Sequence, residues 1–414
     1  MQCDVAVIGA GAAGIAAAIA AAESGASVVL VERYGFVGGL ATSAMVGTIC
    51  GLFYRNLSVP RYAVYGFARE FSKRVQEKSH TTPVMFSEGL HFLPYQPRAF
   101  HQQAIQQLQQ AGVQLLLQSH VCAVEVAHGK IVALRIQAAS NIVNLHADAI
   151  VDCSGNAQLS MLANVGRIEQ AHYQSAAFVF QVAGLPALEP RALALNMIRW
   201  IKRGIQKGDL EPQCERLSII PGTVKNGVGL LKLGMQELFD GTVSCLTQYE
   251  IDARSRSIEI VDYLRGNEPE LKDLMINAMA TEVGVRTMSR SQGIQILDEA
   301  DILACTKPSD GVAIGAWPIE LWGEARTPEM IYFAVDDCYW VSAGMLVSRY
   351  LDNLFFAGRA LSATERAIAS ARVIGTCFST GYAAGMLAAE YASDGVWQKA
   401  IEKIQAKQVF PAEG

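Results

Sequence analysis

At 414 residues the chain is longer than one hydrophobic core usually covers, which argues for two domains. The formal net charge is only −5, no basic cluster points to nucleic acid, and no charged tail points to a disordered arm. The longest apolar run, Ile8 to Ala22, is too short to span a bilayer and has no positively charged leader. Neither an integral membrane segment nor a signal peptide is therefore expected, and the chain reads as cytoplasmic.

Asp4 to Ile8 form a short apolar run with a β-branched bias. Gly9-Ala10-Gly11-Ala12-Ala13-Gly14 follows, then an alanine-rich run to Ala22 and a second apolar run, Val28 to Val31, closed by Glu32. This is strand, glycine turn, helix, strand, acid. Gly9 permits a tight turn, Gly11 lets a pyrophosphate approach the backbone, and Gly14 lets the helix pack on the sheet. The free N–H groups of the helix start favour phosphate. Glu32 stands where a carboxylate accepts bonds from ribose hydroxyls. A bound dinucleotide is the reading; a glycine-rich packing turn with no ligand is the alternative.

Nine scattered cysteines include no C-x-x-C pair, and the seven histidines have no metal-ligand spacing, so no metal is expected. After Glu32, Arg33 leads to Gly38-Gly39-Leu40, where backbone can pass close to a ligand. Helical spacing predicts helices over 60–78 and over Arg98 to Ala111, the second ended by Gly112. A strand is expected at Val113 to Leu117. Cys122 to Val126, Ile131 to Gln137 and Ile142 to His146 read as a meander. Ala149 to Gly155 reads as a separate strand running into a glycine turn.

The section 165–345 has a different texture and reads as a substrate domain inserted into the nucleotide-binding one. Phe178 to Val182 is strand-like, and helices are predicted over Leu193 to Gly208, 250–265 and 268–283. The nucleotide-binding domain would thus comprise 1–164 and 346–414. Its last part contains a strand at Asn353 to Ala357, a small-residue helix at Phe378 to Tyr391 and a terminal helix at Val396 to Gln408.

These motifs together resemble the FAD-dependent oxidoreductases of the glutathione-reductase-like superfamily, over nearly the whole chain. The element G-G-x-x-T is Gly38-Gly39-Leu40-Ala41-Thr42. Asp152-Cys153-Ser154-Gly155-Asn156 matches a strand ending in D-A-T-G-D, with Asn156 in place of the acid. Arg286 and Arg290 match R-x-x-x-R, and Asn353 to Arg359 match N-L-x-x-A-G-R. Ser362-Ala363-Thr364-Glu365 stands where S-A-T-H is frequent, so Glu365 replaces the histidine; Arg372 is the later arginine. The resemblance implies extended FAD, its ADP half on Gly9, Gly11, Ala12, Ala13, Gly14, Glu32 and Arg33. It implies adenine beside Val121, further contacts at Cys153, Ser154 and Gly155, and Gly358 and Arg359 by the pyrophosphate and ribityl chain. The helix start at Thr376 and Cys377 would face the flavin.

No second G-x-G-x-x-G and no redox cysteine pair is present, which favours a small organic substrate meeting the flavin directly. On a helix, Arg286 and Arg290 would reach one side and clamp a carboxylate; a structural ion pair is the alternative. Arg372 is expected to bind substrate or stabilise an anionic flavin, and Glu365 to act as a base if desolvated. Tyr332, Asp336, Asp337, Tyr339 and Trp340 are candidate cavity walls or core, and His172 is a candidate proton donor or a surface residue. The fold is expected to be α/β: a discontinuous Rossmann-like FAD domain with an inserted α+β substrate domain. The expected function is hydride transfer between FAD and a small, carboxylate-bearing substrate. A flavin monooxygenase and an electron-carrying subunit are the alternatives. A homo-oligomer or a partner redox subunit is compatible with this sequence.

Overall fold

The computed structural model describes residues 1–235 and 239–408. Strand β1 (Gln2–Ile8) leads through the glycine turn into helix α1 (Ala12–Glu23), and β2 (Val28–Val31) returns parallel to β1. Alanine gives α1 high helix propensity and no bulk, so every residue from Ala13 to Ala21 is buried. Helices α2 (Gly66–Ser79) and α3 (Pro97–Gln110) follow. Proline at the first position and Gly112 (φ +72°) past the end bound α3.

Next come β3 (Gln114–Leu116), β4 (Ser119–Ala127), β5 (Lys130–Ala138) and β6 (Asn141–Asp152). The two strands expected between Ile142 and Asp152 are one. The first half of β6 pairs antiparallel with β5, while its other edge runs parallel to β1. A single long strand thus joins the hairpin to the parallel sheet.

The middle of the chain forms an antiparallel sheet in the order β8-β9-β7-β10. It comprises β7 (Ala177–Ala183), β8 (Leu217–Ile219), β9 (Val228–Gly234) and β10 (Met275–Met279). Helices α4 (Pro190–Lys207) and α5 (Val243–Asn267) share its core. The helix expected over 268–283 does not form. Pro269 opens a single 3-10 turn, and Met275–Met279 pairs along β7 instead. Edge pairing to an existing sheet outweighs local helix propensity there.

Strands β11 (Gly311–Gly315), β12 (Ile319–Leu321), β13 (Tyr339–Ser342) and β14 (Leu354–Phe356) bring the chain back, with β14 parallel to β6. Helices α6 (Glu365–Ala371), α7 (Ile374–Asp394) and α8 (Ile401–Gln408) close it. The parallel sheet is thus β3-β2-β1-β6, with β14 on the far edge of β6 and the β4–β5 hairpin extending it. Leu297 to Val347 pack with α1 and α7 in the first core, whereas the second core runs from Ala176 to Val283 with Met45. The α/β class and the Rossmann-like parallel sheet are as expected. No described helix is long and apolar enough to cross a membrane.

Candidate active site

A cavity of about 840 Å³ is walled by the glycine turn, the start of α7 and the face of the inserted sheet. At the turn, a Cβ on Gly9 would stand 2.6 Å from the Cys153 carbonyl oxygen, and one on Gly14 would stand 1.8 Å from that of Gly9. Both glycines are demanded by packing. Gly11 is different: a Cβ there would meet nothing nearer than Gly39 Cα, at 3.9 Å. The space over Gly11 is open, next to the opening N–H groups of α1, which have no acceptor within the helix.

Glu32 is buried, and its carboxylate accepts the Ala10 N–H at 2.7 Å and the Tyr34 N–H at 2.9 Å. Burial pushes its pKa up despite those bonds. Each carboxylate oxygen keeps capacity for a hydroxyl donor. Gly38 (φ +119°) donates to the Ala10 carbonyl at 2.7 Å, and the Thr42 hydroxyl, bonded to the Val37 and Gly39 carbonyls, secures that turn. Gly155 lies under the Arg359 guanidinium, where a Cβ would stand 2.6 Å from Nη2. Asn156 Oδ1 is buried in the wall without a partner among the described residues. Glu282 accepts from Tyr34, Arg33 and Ser43, tying the inserted unit to the nucleotide-binding segment.

The other end is cationic and aromatic. Arg372 follows α6, and its Nη2 reaches Glu320 Oε2 at 3.4 Å; the two side chains are 11% and 16% exposed. Arg372 Nε is buried with no partner among the described residues. Trp317 donates its indole N–H to the same Glu320 oxygen at 3.2 Å. Lys232 of β9 and Arg286 both lie over the Trp322 ring, at 4.5 and 4.4 Å from its centroid. Burial, and then Arg286, lower the Lys232 ammonium to about 8. Burial, and then Arg372, lower Arg286 to about 9, which leaves it charged at neutral pH. The cavity-lining thiols of Cys50 and Cys377 are pushed up to about 12 by burial and stay protonated.

The profile of the FAD dependent oxidoreductase family matches residues 4–409. The chain belongs to that family. It is an enzyme, and FAD is its cofactor. No curated protein sequence matches it. Among solved structures it is similar in fold to a geranylgeranyl bacteriochlorophyll reductase-like protein from Thermoplasma acidophilum. That match has 12% identity and TM-score 0.50, over 98% of this chain and 83% of the other. A flavin-dependent brominase gives 13%, 0.50, 98% and 83% for the same measures. An anhydrotetracycline hydroxylase from Streptomyces rimosus gives 11%, 0.50, 98% and 67%. At these identities the likeness is one of fold. The cavity of this family member suits FAD: the space over Gly11 admits a phosphate, Glu32 admits a ribose, and Asn156 Oδ1 lacks a donor.

Of the residues expected at the cofactor, Gly9, Gly11, Ala12, Ala13, Glu32, Arg33, Gly38, Gly39 and Leu40 line the cavity. So do Val121, Cys153, Ser154, Gly155, Gly358, Arg359 and Cys377. Gly14 and Thr42 stand behind the wall and shape it. Thr376 lies just outside, its hydroxyl buried and unpartnered among the described residues.

Of the expected catalytic residues, Arg372 and Arg286 line the cavity, and Arg290 and Glu365 do not. The segment holding both arginines is not a helix, so they do not share a side. Fully buried Arg290 donates to the Ala363, Met288 and Glu169 carbonyls and to Gln170. Glu365 caps the turn at Ala171 and His172. Burial raises its pKa, but those N–H groups and the His172 ring outweigh it and leave it lowered, the opposite of what a desolvated base requires. Tyr332, Asp336, Asp337, Tyr339 and Trp340 are not in the cavity wall. Tyr339 is core, bonded to Ser370, Asp336 meets Arg61, Asp337 meets Lys307, and His172 is exposed beside Glu365. Lys232, Glu320, Trp317 and Trp322 escaped the sequence reading. A lone lysine between leucines in V-G-L-L-K-L-G was the available signal.

Proposed function

We propose that this enzyme transfers a hydride between FAD and a small carboxylate-bearing substrate held at the cationic end of the cavity. The observation that carries the reading is that Arg372 and Arg286 line the same cavity as the glycine turn. FAD supplies a two-electron centre at flavin N5. Gly11, Ala12 and Ala13 would receive its phosphates, Glu32 a ribose, and Gly358, Arg359 and Cys377 its remainder. Arg372 and Arg286 would orient the substrate through charge-assisted bonds to its acid group. Trp317 and Trp322 would exclude water, which strengthens those bonds. The neutral thiols of Cys50 and Cys377 add no negative charge to oppose an anion.

The test is the spectrum of the purified protein, followed by an anaerobic screen of small acids for bleaching of the flavin band near about 450 nm. A protein that binds no flavin on reconstitution overturns the reading. So does substrate oxygenation that consumes dioxygen and an added reductant.

A further inference from the structure

The substrate end carries more positive charge than one acid group would engage. Lys232, Arg286 and Arg372 all line it, and Glu320 is the carboxylate among the described wall residues there. The other acidic wall residues, Glu32 and Glu282, are engaged around Tyr34 at the opposite end. Arg216 adds a fourth charge, although its donors are committed to the carbonyls of Met235, Gly323 and Ala325. Arg326 also lines the wall, beside Glu215; leaving Arg216 and Arg326 out, three cations against one carboxylate still leave a surplus of two.

The donors tell the same story. Arg372 keeps Nε free, and its Nη2 contacts with Gln174 and Glu320 are long, at 3.3 to 3.4 Å. Lys232 Nζ makes no hydrogen bond or ion pair with any described residue; its contact is the Trp322 ring. An unpaired cation in a desolvated cavity is costly, and an ammonium held over a ring still has three N–H donors to offer. A monoanion on Arg372 and Arg286 would leave Lys232 as it is.

Resting on the proposed function, we propose that the substrate is a small dianion, one of its negative charges held by Arg372 and Arg286 and the other by Lys232. The class includes dicarboxylates and phosphate monoesters. A dicarboxylate carries its two charges on separate acid groups, and a phosphate monoester carries both on the oxygens of one.

The test reads binding to the oxidised, FAD-loaded protein at neutral pH, by perturbation of the flavin spectrum and by thermal shift. The probes are glutarate, inorganic phosphate and valerate, the last being the monoanion of glutarate's length. At least one dianion is expected to bind about tenfold or more tighter than valerate. Glutarate alone doing so identifies a dicarboxylate site, and phosphate alone a phosphate-ester site. Lys232→Met, nearly isosteric, is expected to abolish that preference while FAD is retained. Glu320→Gln, which removes the resident negative charge but keeps an acceptor for Trp317, is expected to tighten dianion binding. If Lys232→Met does not fold, the ratio of dianion to valerate affinity in the unsubstituted protein decides the matter. Equal affinity for all three probes, no binding by either dianion, or an equal loss for all three in Lys232→Met overturns the proposal. Because nothing here requires turnover, an enzyme that binds dianions yet shows no bleaching would fail the hydride-transfer reading and leave this one standing.

Discussion

The Glu32 carboxylate accepts the N–H of Ala10 at 2.7 Å, so the acid ending the second strand braces the glycine turn that ends the first. Its other oxygen holds the Tyr34 N–H at 2.9 Å. Glu32→Ala would strip both buried N–H groups of their acceptor, at a cost of about 1–3 kcal/mol for each unsatisfied group. Flavin affinity should fall by roughly tenfold to a hundredfold in fluorescence titration. Glu32→Gln, with one acceptor left, should fall between. Unchanged flavin retention in both variants would remove Glu32 from the site.

Helix α7 sits on α1 through Gly381 and Gly385. A Cβ on Gly381 would stand 2.2 Å from the Ala13 carbonyl oxygen, and one on Gly385 2.1 Å from that of Ala17. Neither backbone can yield without moving the turn that precedes α1. Gly385→Ala should therefore destabilise by roughly 1–3 kcal/mol and loosen flavin retention with it. Gly266→Ala, where a Cβ meets nothing within 4 Å, is the control. Equal thermal midpoints for the two variants would refute the close-packing account.

The nucleotide-binding half was legible because its physics is local. A strand, three glycines, a helix and an acid follow one another within the first 32 residues, and each does its work next to its neighbours. The substrate end was legible only in part. Arg286 and Arg372 stood out as arginines among small residues, but Lys232 comes from β9 and Glu320 and Trp322 from the end of β12, and these meet only after folding. The pairing of Arg286 with Arg290 failed for a related reason: residues 280–289 form no helix, and are held by contacts that spacing does not reveal, such as Ala177 N–H to the Gly284 carbonyl. The helix expected at 268–283 was lost in the same way, to an edge position beside β7.

Glu365 is a structural acid by its contacts. It holds the backbone N–H of Ala171 and His172, and its pKa lies below the ordinary 4.5. A depressed carboxylate adds stability that is complete above its unfolded pKa and fades as pH falls through its folded one. Glu365→Gln should therefore retain flavin and the pH profile of turnover. It should unfold more easily at neutral pH, with the deficit shrinking below about pH 4.5. Loss of turnover with unchanged stability would return Glu365 to the catalytic role.

Arg372→Ala should keep FAD, since that side chain projects into the substrate end. It should lower kcat/KM by roughly a hundredfold or more, the scale for losing one partner of a desolvated charge pair. Arg372→Lys should not restore activity, because an ammonium cannot serve Glu320 and a substrate with a planar fork. Full activity in either variant would dismiss Arg372 as a substrate ligand.

Lys232 gives the pH dependence its sign. Burial and Arg286, then Arg216, push its ammonium down to about 8, while Glu320 and Cys50 hold it up in part. Only the protonated form attracts an anion, so affinity for glutarate, both of whose carboxylates are ionised around neutral pH, should be constant there below about 8 and fall by about tenfold per pH unit above it. A bound anion favours the charged ammonium, so the break in kcat should lie at higher pH than the break in kcat/KM, which reports the free enzyme. Valerate, expected to need only Arg372 and Arg286, should show no break near 8; with Arg286 lowered to about 9, any break in its profile should lie higher. Lys232→Met should flatten the dianion profile to match. A break that stays near 8 after the substitution would belong to another group and would take Lys232 out of the binding site.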